Sequence, residues 1–297
     1  MKILLIGGQS IPGIGGIESY MLNLATSLKK LGNEVTLICS SREAYNTDYN
    51  GVKIIHKACP KSNIIAFPLL FIKSLGYIIK NKKSIDVVNF QSTTFAFLPG
   101  WIASICGCKV YYTIHSLAED NPKHKWYAKI AMKICALISI YACGKNIITV
   151  SNSKASEIKQ RYGKSCSVIP CGVKLPSQDP SSDILQKFGI TPNRYYLTIG
   201  RFDPIKNLDT LIKAFIKRGN HNLQLVLAGD YSNNYGQQML DLCKNQDNII
   251  FVGSVLGDDK ECLLKNSFAN CLVSSSEGMP LSLLEAMSQN PYNCCVI

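Results

Sequence analysis

No Cys-x-x-Cys pair occurs in these 297 residues, although 13 of them are cysteine. Only Cys106/Cys108 and Cys294/Cys295 lie close together. An odd count argues against a secreted disulfide framework, and the lack of paired thiolates argues against a structural zinc site. Most of the cysteines sit in apolar runs such as Ile38-Cys39 and Cys135-Ala-Leu-Ile, and read as small buried hydrophobes in a reducing cytosol. Histidine is scarce, at 4 residues. No cluster has metal-ligand spacing, and no Ser–His–Asp or Cys–His arrangement can be assembled. Long apolar runs are missing too. Ile64–Ile79 is interrupted by Pro68 and Lys73, and Ile130–Val150 by Lys133, Gly144 and Lys145, so neither meets the ~20-residue membrane-span criterion. The start, Met1-Lys2-Ile-Leu-Leu-Ile, runs straight into Gly7-Gly8 and leaves no room for a signal peptide. A soluble cytoplasmic chain is expected.

Acid is in short supply: Lys+Arg 32 against Asp+Glu 20 gives a net charge of +12. That excess favours an anionic partner, whether nucleic acid, an acidic membrane face or a phosphorylated small molecule. No aromatic-basic motif or recognition helix supports nucleic acid. Lys73, Lys80, Lys82 and Lys83 fall in or beside an apolar, helical stretch and suit a basic amphipathic surface on an acidic membrane.

Hydrophobic residues make up 46% and charged residues 18%, enough apolar material for two cores in a chain of two-domain length. Short apolar runs alternate with amphipathic ones. Strand signatures recur at Lys2–Ile6, Glu34–Cys39, Val52–Ile55, Asp86–Phe90, Lys109–Ile114, Asn146–Val150 and Ser165–Ile169. Ile17, Met21, Leu24, Leu28 and Leu31 have helical spacing and close on Gly32. Alternation of this kind implies a parallel, doubly wound α/β sheet. Residues 176–193, rich in proline and serine, read as a linker. The pattern restarts at Tyr195–Ile199, Leu223–Ala228, Asn248–Val252 and Phe268–Val273. Two Rossmann-like lobes are expected, residues 1–175 and 194–297, facing a cleft.

Three segments carry candidate chemistry. Gln9-Ser-Ile-Pro-Gly-Ile-Gly-Gly16 leads from the first strand to the first helix, where glycine and free N–H groups admit an anion. The spacing is not G-x-G-x-x-G, and the second strand ends Cys39-Ser40-Ser41-Arg42 without a ribose-binding acid, which argues against a nicotinamide-dependent oxidoreductase. Arg201 and Lys206 follow a strand directly and suit a diphosphate. In Ser274-Ser-Ser-Glu277-Gly278-Met279-Pro280-Leu281-Ser282-Leu-Leu-Glu285, a strand ends and Pro280 fits the first helical turn, leaving the N–H groups of residues 281–283 as a diphosphate seat. Glu285, about one and a half turns in, suits vicinal ribose hydroxyls. His115 ends a strand where ligands bind.

Gly-Gly-Ile-Glu18, Thr-Ile-His115, Ile-Pro-Cys-Gly-Val173, Gly-Arg201…Lys206, Ala-Gly-Asp230 and Glu277-x7-Glu285, in that order, resemble the family-4 retaining glycosyltransferases of the GT-B fold over nearly the whole chain. Gln9-Ser-Ile-Pro and His115 followed by Lys125-Trp126 resemble a rhamnosyltransferase-like subgroup. The resemblance implies sugar transfer from a nucleotide-sugar donor, with retention and without metal or other cofactor, onto a saccharide or lipid-linked acceptor in cell-surface polysaccharide assembly. It implies that Gly15 and Gly16 approach donor or acceptor and that His115 contacts the transferred sugar. Arg201 and Lys206 would neutralise the leaving diphosphate beside Gly278, Met279, Leu281 and Ser282. Glu277 would grip the sugar and Glu285 the ribose. Cys171 stands where the family commonly has Asn, and Asn207 where Gly usually follows the Lys. The family continues beyond the position of Ile297, so the resemblance also implies a truncated second lobe. Poor stability and little turnover are then expected, or an inactive homologue that at most binds nucleotide.

Overall fold

The computed structural model describes every residue except 14, 61–62, 93–95, 118–124, 143–145, 177–178, 220–221, 276, 290–293 and 297. Gly144 and Lys145, read above as breaking an apolar run, and Ile297 lie outside the described residues. The chain divides into two compact units, Met1–Gly172 and Val173–Ile297.

In the first unit, strands β1 (Lys2–Gln9), β2 (Glu34–Ser41), β3 (Tyr45–Tyr49), β4 (Val52–Ala58), β5 (Val87–Phe90), β6 (Lys109–Ile114), β7 (Ile147–Thr149) and β8 (Ser167–Val168) alternate with helices α1 (Gly16–Lys30), α2 (Asn63–Asn81), α3 (Phe97–Ile105), α4 (Trp126–Ala142) and α5 (Asn152–Tyr162). The sheet order is β3-β4-β2-β1-β5-β6-β7-β8. All neighbours are parallel except β3 and β4. Strands buried on both faces need continuous apolar runs, and Ile3-Leu-Leu-Ile6 supplies one. Ile6, Phe90 and Tyr112 pack on Leu70 and Phe71 of α2 and Ala103 of α3. Ile114 and Ile147 pack on Ile140 of α4 and Ile158 of α5. Alternate positions of β5 and β6, Asn89 and Thr113, turn to the opposite face, where Tyr20 of α1 meets Thr113.

The second unit has a five-stranded parallel sheet in the order β11-β10-β9-β12-β13. Its strands are β9 (Tyr195–Ile199), β10 (Gln224–Ala228), β11 (Ile249–Gly253), β12 (Ala269–Leu272) and β13 (Cys294–Val296). Its helices are α6 (Ile184–Lys187), α7 (Leu208–Arg218), α8 (Asn234–Leu242), α9 (Gly257–Lys265) and α10 (Leu281–Gln289). Ile184, Leu263 and Ala286 cover one face of the sheet. Leu208, Ile212, Phe215 and Met239 cover the other. Both units are doubly wound α/β lobes.

The structure departs from expectation in three places. The strand β3 has no apolar signature: all five residues of Tyr45–Tyr49 are exposed. Its pairing with β4 comes from the turn, where Asn50 and Gly51 take φ of 52° and 76° and Asp48 Oδ1 accepts the Gly51 N–H at 2.9 Å. Residues 176–193 are more than a linker, because α6 lies within them and Ile184 and Ile190 are buried in the second core. The first strand runs on through Gly7 and Gly8 to Gln9, with an irregular register after Ile6.

Candidate functional site

In the first unit the glycine-rich turn and the end of β6 come together through α1. Gly15 precedes the helix and Gly16 opens it. The Glu18 carboxylate, one turn in, accepts the Gln9 N–H at 3.0 Å and holds the loop against the helix. A side chain on Gly15 would run into that carboxylate, whereas the space beside Gly16 is open. Tyr20 packs edge-on against His115 with ring centroids 4.7 Å apart.

His115 Nε2 lies 2.9 Å from Gln91 Oε1. The Gln91 amide donates to Asn89 Oδ1 at 3.1 Å, and Thr113 donates to the same oxygen at 3.0 Å. With the amides oriented this way, His115 carries its proton on Nε2. The residue keeps a partly open surface, yet its ring sits deep enough that burial pushes its pKa down from 6.5 to about 4. It is a neutral imidazole at physiological pH. Gln91, Asn89 and Tyr20 were not among the sequence candidates. No linear spacing links Gln91 to His115, 24 residues on; only parallel neighbours β5 and β6 bring them together.

In the second unit the loop after β9 is built against the end of β12. Gly229 must be glycine, because a Cβ there would collide with the Gly200 carbonyl oxygen. Asp203 caps a 3-10 turn, Pro204–Lys206, and Asn207 ends it with φ 48°. That left-handed conformation explains the glycine usual here in the family, and asparagine tolerates it. Asn207 Nδ2 then donates to Val273 O at 3.0 Å, and the Ser275 N–H donates to Ile205 O at 2.9 Å. These two bonds set Lys206 beside the segment after β12, where its ammonium forms an ion pair with Glu277. Gly200, Arg201, Lys206 and Ser274 line one small pocket at the ends of β9 and β12. Arg201 is exposed, and Ser274 Oγ is buried without a hydrogen-bond partner among the described residues.

Pro280 stands immediately before α10 instead of inside it, and its carbonyl accepts the N–H groups of Leu283 and Leu284, both at 3.2 Å. The amide of residue 283 is therefore not part of a seat. Those of Leu281 and Ser282 belong to the first turn, where helical amides have no intrahelical acceptor. Glu285 is held by Lys260 of α9 at 2.7 Å, in a pair whose side chains are only 18% and 20% exposed. Lys260 was not anticipated, since 25 residues separate it from Glu285.

The first unit thus gathers Gly15, Gly16 and His115. The second gathers Arg201, Lys206, Glu277, Gly278, Met279, Leu281 and Ser282 at the ends of β9 and β12, with Glu285 further along α10. No group of three His, Cys, Asp or Glu among the described residues has a geometry to hold a metal ion.

Residues 14–175 match the description "Glycosyltransferase Family 4", and residues 181–290 match "Glycosyl transferases group 1". The alpha-monoglucosyldiacylglycerol synthase of Streptococcus pneumoniae is 24% identical over 329 residues, which covers 98% of this chain and 72% of the relative. The UDP-Gal:alpha-D-GlcNAc-diphosphoundecaprenol alpha-1,3-galactosyltransferase of Escherichia coli is 27% identical over 308 residues, covering 97% and 77%. Among solved structures, sucrose-phosphate synthase from Thermosynechococcus elongatus superposes with a TM-score of 0.74 at 17% identity, covering 99% of this chain and 80% of that one. Anabaena HepE in complex with UDP-glucose gives 0.71 at 19%, covering 97% and 78%. At such identities the structural likeness speaks to the fold.

Proposed function

Because the chain belongs to glycosyltransferase family 4 and has the GT-B fold, we propose that it transfers a sugar, with retention and without metal, from a nucleoside-diphosphate donor to a saccharide or lipid-linked acceptor. The reaction serves cell-surface polysaccharide or glycolipid assembly, at the cytoplasmic face of a membrane. The observation that carries this reading is the junction of the Arg201–Asn207 loop with the start of α10, held by the Lys206–Glu277 pair. Negative charge that develops on a leaving diphosphate meets Lys206, held by its ion pair, the neighbouring Arg201 and helix-end amides there, the kind of field that lowers a barrier most. The Ser274 hydroxyl, without a hydrogen-bond partner among the described residues, gains one in that anion.

Glu277 holds hydroxyls of the transferred sugar, and the Glu285 carboxylate, with two oxygens and one lysine, holds the ribose. With Nε2 engaged by Gln91, neutral His115 offers Nδ1 as an acceptor to a sugar hydroxyl without adding charge. Gly16, with open space at its Cα, lets a ligand approach the backbone. The Escherichia coli relative is named for a UDP-Gal donor, which supports a uridine nucleotide as the first to try.

The test is transfer from a panel of nucleotide sugars to lipid-diphosphate and saccharide acceptors in the presence of a chelator, with the anomeric configuration of the product read by NMR. Transfer with the donor's configuration kept is expected. An inverted product contradicts retention. Nucleotide binding without turnover on any acceptor favours a binding-only homologue instead.

A further inference from the structure

We propose that Gln91 is a positioning residue: with Asn89 and Tyr20 it fixes His115 in one orientation and one tautomer, so that Nδ1 is presented to the sugar as a hydrogen-bond acceptor. Successive residues of a strand point to opposite faces. Asn89 and Gln91, at the end of β5, therefore share a face with Thr113 and His115, at the end of β6. The helix α1 meets that face through Tyr20. A sheet face under a helix is ordinarily apolar. Here it carries a run of polar side chains, Asn89, Gln91 and Thr113, exposed by 8%, 3% and 0%. Apolar residues of the same shape would fill such a space at little cost in stability, whereas a polar group left unpaired there is costly. Stability alone thus does not call for the run. Of Tyr20, Asn89, Gln91, Thr113 and His115, only His115 keeps a partly open surface, so the run leads to the imidazole.

The polarity of the run follows from one proton. The Thr113 hydroxyl gives its proton to Asn89 Oδ1, so its bond with Tyr20 must be donated by the Tyr20 hydroxyl. The same Oδ1 accepts from Gln91 Nε2. With its amide nitrogen turned to Asn89, Gln91 presents Oε1 to the imidazole, and only a protonated Nε2 can meet it. Each bond dictates the next, from the hydroxyl of Tyr20 to the ring of His115. The Tyr20 ring closes the circuit edge-on against that imidazole, with the planes at 76°. Gln91 is also fixed from the side of β1. Its N–H donates to Ile6 O at 2.9 Å, and a Cβ on Gly7 would stand 2.7 Å from the Gln91 Cβ. Glycine at position 7 is what lets Gln91 sit there. Tyr20 lies one turn after Gly16, so the circuit ties the imidazole to the helix that the glycine-rich turn opens. Side chains locked in this way by packing and hydrogen bonds hold a functional group to the precision that chemistry needs.

The inference rests on the reading that His115 meets the transferred sugar, but its first test uses no donor, so failure of transfer and failure of positioning are told apart. The full chain is isotope-labelled at histidine, and long-range proton–nitrogen correlation reads the tautomer of each imidazole. His115→Gln identifies the signal. The parent should show the Nε2–H form almost alone. Asn89→Leu removes the oxygen that orients the Gln91 amide and should give a mixture of tautomers at His115. Asn89→Asp, whose carboxylate can accept both bonds, should restore the single form. A purely structural role would not carry a tautomer change through Gln91. In transfer assays Gln91→Leu should lower kcat by ~10- to 100-fold while the Kd of the nucleoside diphosphate stays unchanged. Circular dichroism verifies the fold of each variant. If Gln91→Leu melts early, Gln91→Glu serves in its place: it keeps the acceptor, so the Nε2–H form should persist, and its charge should raise the pH at which His115 titrates. A tautomer mixture in the parent overturns the proposal. So does a single form that survives Asn89→Leu, an unchanged kcat in Gln91→Leu, or an unchanged titration in Gln91→Glu.

Discussion

Glu277 and Lys206 neutralise one another in the second unit, and the proposed reaction asks each for something different. The lysine is to meet phosphate and the carboxylate is to hold the sugar. Replacing Glu277 by Gln should therefore leave nucleotide affinity unchanged or raise it, because Lys206 is released to the anion, while turnover of the sugar donor falls by ~100-fold or more. Separate measurement of the dissociation constant of the nucleoside diphosphate and of kcat checks this, and weaker nucleotide binding in the variant would count against the assignment. His115 gives a second test. Its folded pKa, about 4, lies below the ordinary 6.5, so between those values the unfolded chain binds the extra proton. Its stabilising contribution is complete above pH 6.5 and is lost as the pH falls towards 4. Burial lowers the pKa of His56 as well, which acts in the same direction. His115→Gln should flatten the fall in urea midpoint between pH 7 and pH 5 relative to the parent. An NMR titration that placed His115 near 6.5 would remove the basis for a neutral imidazole.

At the scale of elements, the structure shows which signals a sequence carries and which it does not. Strands such as Lys109–Ile114 and Tyr195–Ile199 were legible to the residue, because a parallel strand covered on both faces reads as a nearly continuous apolar run. The strand Tyr45–Tyr49 was not, since an exposed edge strand makes no such demand and only Asn50-Gly51 marks its hairpin. The candidate residues at strand ends were legible for the same topological reason, as ligands gather where parallel strands finish. Their partners Lys260 and Gln91 were not, because contacts between neighbouring elements leave no spacing in the chain. Asn207 lies between these cases: its identity departs from the family, and its left-handed backbone with a bond to Val273 explains how the loop keeps its shape. Asn207→Gly keeps the conformation and loses the bond, about 1 kcal/mol. Asn207→Ala loses both and should cost roughly 1 kcal/mol more. Chemical denaturation of the two variants checks the order, and equal stabilities would show that backbone strain is absent there.

At the scale of the whole molecule, each unit has its own core, and the candidate groups are divided between them: His115 with the glycine turn in one, the cations with Glu277 and Glu285 in the other. An overall charge of +12 supports anionic partners without naming one. On the proposed reading the loop at Arg201 and Lys206 takes the donor diphosphate, and on it the account of donor binding depends. Calorimetric titration of the full chain with UDP, GDP and dTDP in chelator tests it most directly. At least one nucleotide should bind without divalent metal, and Arg201→Ala should weaken that binding by ~1.5–3 kcal/mol, roughly ten- to a hundred-fold. Unchanged affinity in Arg201→Ala, or binding only when Mg²⁺ is restored, would contradict the account.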